Sequence, residues 1–121
     1  MSNMSYTERA EVYNSAINRY GMGAQCVVAL EELSECQKEI CKVLRGKGNL
    51  EHLAEEVADA TIMLEQLQIM FDLNGAVCQM MDEKVKRLAD RIRADSPNIT
   101  DETADAIEKM GAKAHGGAED G

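Results

Sequence analysis

Two acidic pairs, Glu32-Leu33-Ser34-Glu35 and Glu56-Val57-Ala58-Asp59, most constrain what this chain can fold into. Within each pair the carboxylates stand three positions apart, so a helix places both on one face. Twenty residues separate Glu35 from Glu56. That length finishes one helix, makes a turn, and starts a second helix antiparallel to the first. Four carboxylates then converge on a helical hairpin. Like charges at such range repel unless something positive sits between them. A hard divalent cation is the matching partner. Mg²⁺ in particular takes carboxylate oxygens and shares them with substrate phosphates.

The rest of the sequence supports helices throughout. Pro97 is the only proline, there is one phenylalanine and no tryptophan, and good helix formers dominate. With 121 residues and 45% hydrophobic content, the chain is expected to form one globular domain. The expected fold class is all-α, a four- to five-helix bundle. Ser5-Tyr6-Thr7-Glu8 fits a capping box, which starts a first helix running from Tyr6 to Tyr20. A second helix is expected over Met22 to Leu44, a turn at Arg45-Gly46-Lys47-Gly48, and an N-cap at Asn49. The third helix is expected from Leu50 to about Leu73, ended by Asn74-Gly75, and the fourth from Ala76 to about Ala94. Ser96-Pro97-Asn98 breaks the chain. The domain is accordingly read as residues 1–96, with a short helix (Asp101 to Met110) and a flexible tail in 97–121.

Helical phase assigns the faces. The second helix carries an apolar stripe of Met22, Cys26, Leu30, Leu33, Gln37, Ile40 and Leu44, read as its core face. Beside it run Gln25, Val28, Glu32, Glu35 and Glu39, which puts the acidic pair at the border of the core. The third helix has a main stripe of Leu53, Val57, Ala60, Leu64, Gln68 and Phe71, with Met63, Leu67 and Met70 on one flank and Ile62 and Ile69 on another. So wide an apolar circumference belongs to a central helix or one that also meets another subunit. The fourth helix is expected to bury Val77, Met81, Val85, Leu88 and Ile92. Lys84, Arg87 and Arg91 line its adjacent edge, where the arginine fork suits phosphate oxygens. Arg45 and Lys47, in the turn, are further candidates for substrate contact.

Several functions are excluded. A net charge of −9 argues against nucleic acid, which draws a basic face. No stretch reaches the length of a membrane span. The polar segment Met1 to Thr7 has no signal-peptide core, and a cytoplasmic location is expected. Cys26, Cys36, Cys41 and Cys78 form no C-x-x-C pair and read as free thiols. A ferritin-like di-iron site needs Glu-x-x-His on two helices, and neither acidic helix has it. No phosphate loop or nucleophile elbow is present.

The pattern E-E-L-S-E (Glu31, Glu32, Glu35) followed by E-E-V-A-D (Glu56, Asp59) resembles the MazG-like family of all-α nucleoside triphosphate pyrophosphohydrolases, which is marked by E-E-x-x-E, a gap, and E-x-x-D. The similarity extends from Tyr20-Gly21 and Gln25 to Glu83-Lys84-Val85-Lys86-Arg87-Leu88, and looks most like short, single-domain, phage-type members. It implies that Glu32, Glu35, Glu56 and Asp59 bind Mg²⁺, with Mn²⁺ able to substitute, and that Glu35 and Glu32 are catalytic. It implies cleavage between the α- and β-phosphates of a nucleotide, giving a nucleoside monophosphate and pyrophosphate. It also implies a homodimer or homotetramer, with Lys84, Arg87 and Arg91 on substrate phosphates and Gln25 in reach of the substrate. Many members carry an asparagine four positions after the fourth-helix lysine, where this chain has Leu88; Arg87 is the residue available to take over. The same resemblance accommodates hydrolysis of phosphoribosyl-ATP, dUTP or dCTP. An oligomeric helical interaction module that keeps the acidic face without catalysis is the non-enzymatic alternative.

Overall fold

Ser5 starts the first helix as its spacing predicts. Its hydroxyl accepts from the Glu8 N–H at 3.1 Å, while the Glu8 carboxylate accepts from the Ser5 N–H at 2.8 Å. The computed structural model describes residues 3–94 and Lys109. Within it the chain forms α1 (Tyr6–Tyr20), α2 (Met22–Leu44), α3 (Leu50–Met70) and α4 (Asn74–Arg93), with no strand among the described residues. The expected fifth helix lies outside them, apart from Lys109.

Three junctions fix the architecture. Between α1 and α2 a single residue, Gly21, changes the chain direction at φ +92°, a conformation that side chains resist. After α2, Gly46 at φ +75° closes a complete Schellman turn: Lys47 N–H donates to the Lys42 carbonyl at 2.9 Å and Gly46 N–H to that of Val43 at 3.0 Å. The Asn49 side chain then caps α3, accepting from Glu51 N–H at 2.8 Å and His52 N–H at 3.3 Å. The third junction differs from the sequence expectation. Helix α3 stops at Met70, and Asp72, at φ +52°, occupies the left-handed position expected of Gly75. Leu73 N–H closes that turn on the Gln68 carbonyl at 2.8 Å. Aspartate tolerates this conformation better than most side chains, so Asn74-Gly75 is freed to open α4 rather than close α3.

Helices α2 and α3 form an antiparallel hairpin, the principal packing unit. Small side chains at Ala29 and Ala60, both buried, allow close approach, and Met63 fills beside them. A buried amide pair crosses the same seam: Gln25 Nε2 donates to Gln66 Oε1 at 2.8 Å. Helix α1 rests on both members of the hairpin. Its buried Tyr13 donates from the phenol to Glu65 Oε2 at 2.7 Å, and Arg9 Nε reaches the same oxygen at 3.4 Å.

The expected phase of α2 needs correction. The stripe read as its core face is largely open: Leu30 is 69% exposed, and Met22, Leu33, Gln37, Ile40 and Leu44 are exposed with it. The neighbouring stripe, with Gln25, Ala29 and Glu39 buried and Val28 and Glu32 half-buried, faces α3 instead. Apolarity alone therefore misassigned the face, because amide pairing and small residues determined which side seats the hairpin. On α3, Ala60 and Met63 are buried while Val57, Leu64 and Phe71 are exposed. Helix α4 packs mainly on α3 and buries no residue; of its expected core stripe only Val77 is half-buried.

Candidate metal centre

The hairpin register brings the acidic pairs face to face. Glu32 comes from the middle of α2, Glu56 and Asp59 from the first half of α3, and their carboxylate oxygens lie within 4.8 Å of one another. Glu32 and Glu56 are half-buried and Asp59 is exposed, so the cluster opens to solvent at one side. Among the described residues none of the three has an ion-pair partner. Glu56 Oε2 is buried and accepts no hydrogen bond.

That oxygen matters for what the cluster can hold. A buried acceptor without a partner costs free energy, more so when it carries charge. Three uncompensated carboxylates add mutual repulsion. Burial, followed by the charges of Asp59, Glu56 and Glu35, raises the Glu32 pKa above its ordinary 4.5. The donor set is all oxygen, as Mg²⁺ prefers. Two oxygens across a Mg²⁺ octahedron stand about 4.2 Å apart, so small side-chain movements close this cluster on such an ion. The residues present fit a hard divalent cation.

A pH dependence follows from the raised Glu32 pKa. A carboxyl with a higher pKa when folded holds its proton more tightly in the native state. Its stabilising contribution is full below 4.5 and is lost as pH climbs through the raised value. Glu32→Gln is therefore expected to gain melting temperature over the wild type in EDTA as pH rises from 4.5 to 7.5. Thermal melts across that range check it; a constant difference between the two proteins contradicts the assignment.

The fourth expected ligand stands outside the cluster. Glu35 is exposed, and its Oε1 is 3.3 Å from Lys38 Nζ. Gln25 lies about 10 Å from Glu32 along the α2 axis, with its amide engaged by Gln66. Arg45 and Lys47 are exposed at the far end of α2, on the order of 20 Å from Glu32. Lys84, Arg87 and Arg91 line a hollow of about 630 Å³ along α4 together with Asp90. No ion pair or hydrogen bond among the described residues joins these cations to the carboxylates. Sequence reasoning passed over two features: Gln66, the buried partner of Gln25, and the Lys38 contact to Glu35. The first was readable, since the antiparallel register that opposes Glu32 to Asp59 also opposes Gln25 to Gln66.

In comparisons with known proteins, no family model matches the chain, and no curated protein or solved structure is significantly similar to it. Among the described residues, no helix is long and apolar enough to cross a membrane.

Proposed function

We propose that this chain is a Mg²⁺-dependent nucleotide pyrophosphohydrolase that splits a nucleoside triphosphate into a nucleoside monophosphate and pyrophosphate. The observation that carries the reading is the meeting of Glu32, Glu56 and Asp59 from two helices around an orphaned, buried Glu56 oxygen. Glu32, Glu56 and Asp59 would hold the ion, with Mn²⁺ able to replace Mg²⁺. When bound, the ion supplies neutralisation of phosphate charge and activation of water. Glu35, one helical turn beyond Glu32 and open to solvent, is placed to accept the proton released by the attacking water. Lys84, Arg87 and Arg91 bring three positive charges to the phosphates. Gln25, Arg45 and Lys47 are the remaining candidates for substrate contact.

The protein is further proposed to act as a homodimer or homotetramer. The α4 cations and the carboxylates are unlinked within one copy, and both α2 and α4 present unpartnered apolar stripes beside these groups. A second copy laid over those stripes covers them and provides a route by which cations meet carboxylates.

The test is pyrophosphate release, with and without Mg²⁺, across the ribo- and deoxyribonucleoside triphosphates, with phosphoribosyl-ATP, dUTP and dCTP as separate arms. Mg²⁺-dependent release from one or a few is expected. The exposed apolar stripes also favour a second reading, a helical interaction module without turnover. Silence across every arm, together with no Mg²⁺-specific rise in melting temperature beyond salt screening, would favour that module.

A further inference from the structure

The four carboxylates of the two acidic pairs are not equivalent, and the difference traces to one lysine. Glu35 is three residues beyond Glu32, about 4.5 Å along the helix axis, and so begins within reach of the cluster. Its carboxylate is instead engaged by Lys38 at 3.3 Å, while Glu32, Glu56 and Asp59 have no cationic partner among the described residues. Both members of the pair are more than half exposed, so neither is locked by packing. Lys42 repeats the spacing one turn later with Glu39, but Glu39 is buried and lies outside the cluster.

We infer that Lys38 is a positioning residue that holds Glu35 out of the carboxylate cluster and thereby sets the affinity of the site for divalent cations. The inference rests on the metal-site reading above. With the pair intact, the site offers three carboxylates and keeps Glu35 in reserve. With the pair broken, Glu35 turns toward its neighbours and becomes a fourth anionic group for the ion. An exposed ion pair is weak, so the gain is modest.

Calorimetric titration of the full chain with Mg²⁺, and with Mn²⁺ followed by its paramagnetic resonance, tests this without reference to turnover. Lys38→Met is expected to tighten cation binding about two- to fivefold, the range a surface pair can contribute. Lys38→Arg, which keeps the pair, is expected to match the wild type. Removing a lysine also strengthens cation binding through its charge alone, so the deciding variant is Lys38→Met combined with Glu35→Gln. If Lys38 acts through Glu35, its effect vanishes in that background; an effect of equal size there overturns the inference. Wild-type binding with no change in Lys38→Met also overturns it while leaving the metal site standing. A wild-type protein that binds neither ion removes the metal site, and this inference with it.

Discussion

Glu56→Gln is expected to abolish Mg²⁺-dependent pyrophosphate release while helix content stays unchanged. Two features single out Glu56 among the carboxylates. Its Oε2 is the buried oxygen without a partner, and its position on α3 faces Glu32 across the hairpin. Glutamine keeps the size of the side chain but removes the charge that a hard cation needs. Loss of even a supporting partner of a metal ligand costs roughly 10–100-fold, so loss of a ligand itself should reach at least ~100-fold. Stability should move the other way. Without metal, the wild type carries three mutually repelling carboxylates, one with a buried bare oxygen. The variant relieves that repulsion and is expected to melt at the same temperature or higher in EDTA. With Mg²⁺ present the order reverses. At a hundredfold excess over Kd, binding adds about 2.7 kcal/mol, a rise on the order of 10 °C for a domain of this size. Only the wild type should show it. Far-ultraviolet circular dichroism, melts with and without Mg²⁺, and a pyrophosphate assay read the three consequences separately. Retained turnover in a folded Glu56→Gln protein would end the assignment of this residue.

The hairpin that builds this site was legible in the sequence because its signals are local. Ser5 and Asn49 caps, the glycines at 21 and 46, and i, i+3 carboxylates each report on a few neighbouring residues. The limits of α1 and α2 followed from them, as did the start of α3. Asp72 was missed because a residue that merely tolerates the left-handed conformation competed in the sequence with Asn74-Gly75, the stronger signal. The faces of α2 were harder still. Periodicity locates an apolar stripe but does not say what covers it. Here Leu30, Leu33 and Ile40 are exposed in the single chain, and the hairpin closes on Ala29, Gln25 and Glu39. Likewise Glu35 shares its helical row with Glu32, yet a rotamer that reaches Lys38 removes it from the cluster. Such choices depend on long-range packing and side-chain partners, which spacing does not encode.

Charging the open apolar stripes is expected to break self-association. Among the described residues, the buried apolar side chains are Tyr13, Ala29, Ala60 and Met63, too little core to hold four helices against their conformational entropy. Meanwhile Leu30 on α2 and Leu88 on α4 are 69% and 48% exposed. Surfaces of this kind mark contacts with other molecules. Symmetric pairing would bury each leucine twice. Full burial of a leucine contributes about 1.5–3 kcal/mol, so losing two copies weakens a dimer by ~3–6 kcal/mol, or roughly 10²–10⁴ in Kd. A lysine there adds the cost of an unpaired charge. Sedimentation velocity of the wild type is therefore expected to give a dimer or tetramer, and Leu30→Lys and Leu88→Lys each a smaller species. If the α4 cations reach the carboxylates of another copy, pyrophosphate release should fall with dissociation, although neither leucine touches the site. Mixing inactive Glu56→Gln with an Arg87→Ala variant then decides how the site is shared. Each protein lacks one half, and a mixed oligomer carries one complete set only if the halves come from different copies. Recovered activity on mixing would assign α4 to its neighbour's centre. Persistent inactivity, with exchange of subunits demonstrated, would keep each centre within one chain and require α4 to fold back onto its own hairpin.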